Sequence, residues 1–239
     1  MSIPMGIEGR SEIVADAKAL AEAAAETIAR AIQGGGAPFR LSLSGGSTPR
    51  AAYALLAARD DVPWEKVELF FGDERFVPPD HPDSNYRMVR ETLLAGGRVT
   101  PRKLFAMPTD GTPEDCARAY EEELRQQYGA SILAPGVPLF DLMLLGLGAD
   151  GHTASLIPGQ PVLSERTRWV APVPQGREEV RLTLTYPALE SSRLTLFLVG
   201  GADKAPAVRR VRAGDTALPA GALAPQGDVL WLLDRAAAA

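Results

Sequence analysis

Apolar residues recur at Val14, Ala17, Leu20, Ala21, Ala24, Ile28 and Ile32, the three-and-four spacing of one helical face. Ser11 is expected to cap this first helix, read as 11–33, and Gly34, Gly35 and Gly36 to end it. Beyond it, short apolar runs alternate with amphipathic stretches. FRLSLS (39–44), VELFFGD (67–73), LFDLMLLGLG (139–148), VRLTLTY (180–186), LTLFLVGG (194–201) and DVLWLLD (228–234) predict strands. Three helices are expected between them: TPRAAYALLAARD (48–60), SNYRMVRETLLAGG (84–97) capped by Ser84, and PEDCARAYEEELRQQYG (113–129) closed by Gly129. Pro49 falls in the first turn of its helix, where the missing N–H costs nothing. The Pro-rich stretch 158–174 reads as loop plus a short edge strand.

Near-continuous apolar strands alternating with helices predict an α/β fold. The expected architecture is a single doubly wound domain over 1–239, with a mostly parallel sheet covered by helices on both faces.

Four polar clusters directly follow strands. They are Ser44-Gly45-Gly46-Ser47-Thr48-Pro49, then Gly72-Asp73-Glu74-Arg75, then the run from Gly146 to Thr153 (GLGADGHT), and finally Gly200-Gly201-Ala202-Asp203-Lys204. Ligands of open parallel sheets bind outside the carboxyl ends of the strands, so the four clusters should converge on one crevice.

The first cluster is a glycine-rich turn opening a helix. Its N–H groups, two hydroxyls and the helix dipole suit a phosphate, against the plainer reading of a capped βα turn. It is not a Walker A loop, because GxxxxGK[ST] is absent. Arg75 sits beside two carboxylates; alone, such a triplet is more often a surface ion-pair cluster, but the strand end and the guanidinium fork favour phosphate recognition. Lys204 opens a helix, where a cation is electrostatically unhelpful unless an anion lies nearby.

Gly146-x-Gly148-x-x-Gly151 matches the dinucleotide fingerprint only superficially. It lies mid-chain, Asp150 stands where a pyrophosphate would sit, Pro158 cuts short the next helix, and no ribose-binding acid ends the next strand, so a nicotinamide cofactor is rejected. His152 sits in the same loop at a strand end, and imidazole is the side chain able to act as a neutral base near pH 7. His81, in VPPDHPDSN, reads as loop-anchoring. A Ser-His-Asp triad through Ser44 or Ser47 is weakened by the lack of a GxSxG elbow. Cys116 and Trp64, Trp169 and Trp231 read as packing residues.

Composition narrows the classes further. With 25 basic and 30 acidic residues the net charge is −5, which argues against nonspecific nucleic-acid or membrane binding and requires an anionic ligand to be met by a few placed cations. The single cysteine excludes an intrachain disulfide and a cysteine zinc cluster, and two histidines exclude a three-histidine metal site. MSIPMGIEGR has no apolar core of a leader, and no apolar stretch reaches membrane-spanning length, so a cytoplasmic protein is expected.

Taken together, LSLSGGSTP, FFGDERFVPPDHPDSNYRMVRETLL, LLGLGADGHTASLIPG, RLTLTYPAL, LFLVGGADKA and LPAGAL…VLWLLDRAA, in that order over about residues 40–236, closely resemble the 6-phosphogluconolactonase family. The resemblance implies a fold shared with glucosamine-6-phosphate deaminase/isomerase and ribose-5-phosphate isomerase. It implies hydrolysis of 6-phosphoglucono-δ-lactone to 6-phosphogluconate in the oxidative pentose phosphate pathway. The family's catalytic histidine, in DGHTAS, falls on His152. Its phosphate and sugar contacts fall on Ser44, Gly45, Gly46, Ser47 and Thr48, on Arg75 of GDER, and on Lys204; Arg181 takes the family's R-[VI]-T-L-T position. Asp73 and Asp150 are candidates to orient the histidine or meet the substrate.

Two departures from the family's usual pattern stand out: Leu156-Ile157-Pro158 where LFP is common, and Glu190 where Asn is common. A δ-lactone is an activated ester, so the expected reaction needs no metal, cofactor or covalent nucleophile. Backbone N–H groups near Gly45–Gly46 or Gly148–Gly151 are candidates to bind the carbonyl oxyanion.

The expected partner is a small sugar-phosphate lactone, with neither nucleic acid nor membrane, and the chain is expected to be a monomer or weak homo-oligomer. Thr153-Ala154-Ser155 after the histidine and Arg75 favour the lactonase over an aminosugar-phosphate deaminase. A noncatalytic sugar-phosphate sensor is disfavoured because the first helix is expected to lead straight into the first strand, leaving no room for a DNA-binding unit.

Overall fold

The computed structural model describes Ile7, residues 9–175 and residues 177–239; most of the N-terminal stretch read for a leader therefore lies outside the described residues. Seven strands form one parallel sheet: β1 (Arg10–Val14), β2 (Phe39–Leu43), β3 (Val67–Phe71), β5 (Lys103–Leu104), β6 (Phe140–Leu145), β9 (Ser192–Val199) and β10 (Asp228–Asp234), in the spatial order β1-β10-β9-β6-β2-β3-β5. Around it run α1 (Ala17–Gly34), α2 (Ser47–Ala57), α3 (Asn85–Val89, continued by a π-turn to Leu94), α4 (Pro113–Tyr128), α5 (Tyr186–Glu190) and α6 (Ala205–Arg212).

The central strands are largely buried because neighbours cover both faces. Every residue of β3 is buried, and Trp231 of β10 stacks on its register partner Phe197 of β9 at 4.0 Å between ring centroids. Among the described residues no helix is long and apolar enough to cross a membrane.

The expected mostly parallel α/β sheet is the one observed, and two elements depart from the reading. The first helix does not begin at Ser11. Residues 10–14 pair in parallel with β10 (Arg10 with Leu230, Val14 with Asp234), and Asp16 caps α1 by accepting the Ala19 N–H at 2.9 Å. RSEIV is an exposed edge strand, so its pairing is carried by backbone and leaves little side-chain pattern. Hence the chain does not run from α1 into its first strand; a strand precedes that helix.

The second departure concerns 180–186. β8 (Arg181–Leu184) belongs to a separate three-stranded antiparallel sheet, ordered β4-β8-β7, with β4 (Asp73–Arg75) and β7 (Val170–Val173). GDER is thus partly a strand itself. Gly72 makes the corner: its N–H donates to Leu43 O at 2.9 Å in the large sheet, and its carbonyl accepts from Leu184 N at 2.8 Å in the small one.

Two buried tyrosines fix strand ends. Tyr120 of α4 accepts the Phe71 N–H at 2.9 Å, and Tyr53 of α2 accepts the Ser44 N–H at 3.0 Å and donates to Ser44 O. Burial pushes both phenols above their ordinary range.

Candidate active site

Where the chain reverses direction across the sheet, the switch lies between β2 and β6. From β2 it builds outward through β3 and β5, then returns to place β6, β9 and β10 on the other side. A crevice opens at such a point, outside the carboxyl ends. The four polar clusters follow β9, β6, β2 and β3, which are consecutive neighbours, so their loops fit within about 15 Å at roughly 4.8 Å per strand gap. There the structure has a cleft of about 260 Å³. Residues 44–48, Asp73, Arg75, His152, Arg181 and Lys204 all line it; Asp150 does not, but touches His152.

One wall is the start of α2. Gly46 sits at φ 105°, a conformation open to glycine, and no side chain caps the helix. The uncapped first turn, Gly46, Ser47 and Thr48, borders the cleft. Gly45 has no alternative either: a Cβ there would lie 2.1 Å from Asn85 Oδ1. Asn85 is buried, lines the cleft and donates to Asp73 O at 2.9 Å.

The small sheet supplies the second wall. Arg75 and Arg181 are direct partners across the β4–β8 ladder. Like charges so placed repel. Burial and then Arg75 lower the Arg181 guanidinium from its ordinary value. Each keeps a buried Nε with no hydrogen-bond partner, although Arg75 Nη1 donates to Asp83 O at 2.7 Å and Arg181 lies 3.4 Å from Glu179. Two half-buried guanidiniums with unspent donors beside an uncapped helix start are an arrangement suited to an anion. Lys204 extends it from the turn after β9, which is tied down by Gly201 N donating to the Asp234 carboxylate at 3.0 Å. The Lys204 ammonium has one carboxylate near it, Asp203 at 3.0 Å.

His152 forms the third part. Its Nδ1 lies 2.5 Å from Asp150 Oδ1, leaving Nε2 without a protein partner among the described residues. Burial alone would raise the Asp150 carboxyl, but hydrogen bonds from Arg177 and His152 outweigh it and hold that carboxyl well below the usual carboxylate range. The loop is a tight backbone knot. Gly148 N donates to His152 O at 2.8 Å, Gly151 N to Gly148 O at 2.9 Å, and Thr153 Oγ1 to Gly146 O at 2.8 Å.

Those two glycine N–H groups are thus already spent, which corrects their candidacy as oxyanion donors. Just beyond, Ala154 adopts φ 48°, the sole positive value outside glycine among the described residues, and lines the cleft. Strain of that kind persists where surrounding bonds over-determine the backbone. Here Ser155 Oγ donates to Asp73 Oδ2 at 2.7 Å and Ser155 N to Thr183 Oγ1 at 3.1 Å, locking the histidine loop to the small sheet.

A Cβ on residue 148 would lie 2.0 Å from His152 Nδ1. Gly148→Ala is therefore expected to displace the ring and lower kcat about 100-fold, with a much smaller change in KM. Steady-state kinetics beside a melting curve check this; an unimpaired kcat would contradict the close packing.

The model for glucosamine-6-phosphate isomerases/6-phosphogluconolactonases matches residues 14–231. The chain belongs to this family. It is 42% identical over 206 residues to a 6-phosphogluconolactonase of Nostoc sp., covering 84% of each chain. It is 36% identical over 227 residues to the 6-phosphogluconolactonase of Rattus norvegicus, covering 92% of this chain and 87% of that one. The solved 6-phosphogluconolactonase from Trypanosoma cruzi superposes with a TM-score of 0.84 at 28% identity, covering 99% and 98% of the two chains. The match to this family spans every loop that borders the cleft.

Within this family frame, three contributors to the site escaped the sequence reading. Asn85 follows the Ser84 cap, which accepts the Arg87 N–H at 3.1 Å as expected; its place in the cleft depends on α3 docking against β4. Tyr53, within the α2 run TPRAAYALLAARD, carries no local signal for its bonds to Ser44. Arg177, 25 residues from His152, donates to Asp150 Oδ2 at 2.8 Å, a contact between two loops that no local pattern signals. The packing residues are as read: Cys116 and all three tryptophans are buried, and His81 Nδ1 accepts the Asp83 N–H at 3.2 Å within its loop.

Proposed function

We propose that the chain hydrolyses 6-phospho-D-glucono-1,5-lactone to 6-phospho-D-gluconate, with His152 as general base. The observation that carries the reading is one cleft holding both an unengaged imidazole Nε2 and an anion site of Arg75, Arg181, Lys204 and the α2 start. The names borne by relatives at 36–42% identity point the same way.

In this reading the phosphate occupies the cationic wall and fixes the lactone with C1 toward His152. With Nδ1–H held by Asp150, Nε2 accepts a proton from water as the water oxygen bonds to C1. The C1 carbonyl becomes an oxyanion. With the Gly148 and Gly151 N–H groups engaged and the α2 start from Gly46 given to the phosphate, the Gly45 N–H is the remaining donor among these glycines. The tetrahedral intermediate collapses by breaking the bond from C1 to the ring oxygen, and the imidazolium returns its proton to that oxygen. The products are a free hydroxyl at C5 and a carboxylic acid at C1, which loses its proton to solvent to become the carboxylate. Phosphate binding energy is spent on orientation, far from the bond that breaks.

The test is stopped-flow proton release on freshly generated lactone, compared with the spontaneous rate. Acceleration by catalytic amounts of the chain is expected. Background rates throughout would overturn the proposal, and release of ammonia from glucosamine 6-phosphate would move the chain to the other activity of its family.

A further inference from the structure

We infer that Arg177 is a positioning residue for His152, acting through Asp150: it holds the carboxylate where it receives Nδ1–H and so keeps the imidazole fixed in the cleft. This rests on the reading of His152 as general base.

The contacts are shared around one carboxylate. Asp150 Oδ1 faces His152 Nδ1 at 2.5 Å, and Oδ2 takes Arg177 Nη2 at 2.8 Å. The same Nη2 lies 3.1 Å from Nδ1. Since Nδ1 gives its proton to Asp150, the guanidinium has no lone pair to meet on the ring, and its donor serves Oδ2. The Asp150 side chain is 40% exposed, so a single bond to the imidazole would leave the carboxyl free to turn and to be claimed by water. A second anchor on the other oxygen removes that freedom.

The other charged groups bordering the cleft, Asp73, Arg75, Arg181 and Lys204, make no hydrogen bond to the His152 ring among the described residues, so the acid–arginine pair is what holds it. Arg177 does not line the cleft, which separates its part from substrate binding.

The experiment compares kcat and KM for the wild-type chain, Arg177→Met and Arg177→Lys. Arg177→Met is expected to lower kcat about three- to tenfold with KM within about twofold, and lysine to restore part of kcat. An unchanged kcat, a loss confined to KM, or no recovery with lysine would overturn the inference.

Proton NMR gives a readout that does not depend on turnover. The chain has two histidines, and His152→Ala identifies one by its disappearance. At fixed pH the His152 ring-proton signals should shift and broaden in Arg177→Met, and signals identical to those of the wild type would overturn the inference. Full turnover by His152→Ala would instead remove the general-base reading while leaving the NMR result to judge the contact. Should the methionine variant not fold, Arg177→Gln removes the same charge.

Discussion

Replacing His152 by alanine is expected to lower kcat about 10²- to 10⁴-fold, the contribution of a positioned general base, while affinity for 6-phosphogluconate stays within about threefold. No other cleft side chain can substitute. Asp73 is held by Ser155 and lies two residues from Arg75 in a strand paired with that of Arg181, so its negative charge is already committed. The remaining titratable groups bordering the cleft, Arg75, Arg181 and Lys204, are cations with no lone pair to offer. In the proposed pose the phosphate is held away from the imidazole, so product binding should survive. Proton-release kinetics with calorimetric titration of product separates the two quantities. Retained turnover with lost binding would put His152 in the wrong role.

The second large effect is expected at the paired arginines. Arg75→Ala should weaken binding of phosphorylated ligands about 10- to 100-fold, matching roughly 1.5–3 kcal/mol for a hydrogen bond to a charged group, and should raise KM more than it lowers kcat. The direction of a second effect distinguishes this from a structural role. Arg75 and Arg181 oppose each other across an antiparallel ladder, and each leaves a buried Nε unpaired. Removing one cation relieves repulsion in the unliganded protein, so its melting temperature should hold or rise while the stabilisation gained on adding 6-phosphogluconate shrinks. Thermal melts with and without ligand check this. Unchanged ligand affinity would argue against the anion site.

Much of this arrangement could be read from the chain because its signals are local. Strands such as VELFF and LFDLMLL are apolar throughout because both of their faces are covered, and Gly129 ends α4 at φ 85° as a left-handed cap. The four loops could be placed together because the carboxyl ends of neighbouring parallel strands share one edge. What was misread is what side-chain pattern does not encode. RSEIV is an exposed edge, and helical spacing from Val14 onward masked it. The small sheet exists because Gly72 turns the chain out of the large one, and a run such as RLTL is equally apolar in either setting. Arg177 and Asn85 reach the site only through the packing of one loop and one helix.

The central claim is that one ligand spans the cleft between the cationic wall and the imidazole. A crystal structure with 6-phosphogluconate bound tests it most directly. The account predicts the phosphate against Arg75, Arg181, Lys204 and the first turn of α2, with the C1 carboxylate within hydrogen-bond reach of His152 Nε2. A phosphate seated on His152, or a carboxylate remote from it, would contradict the account.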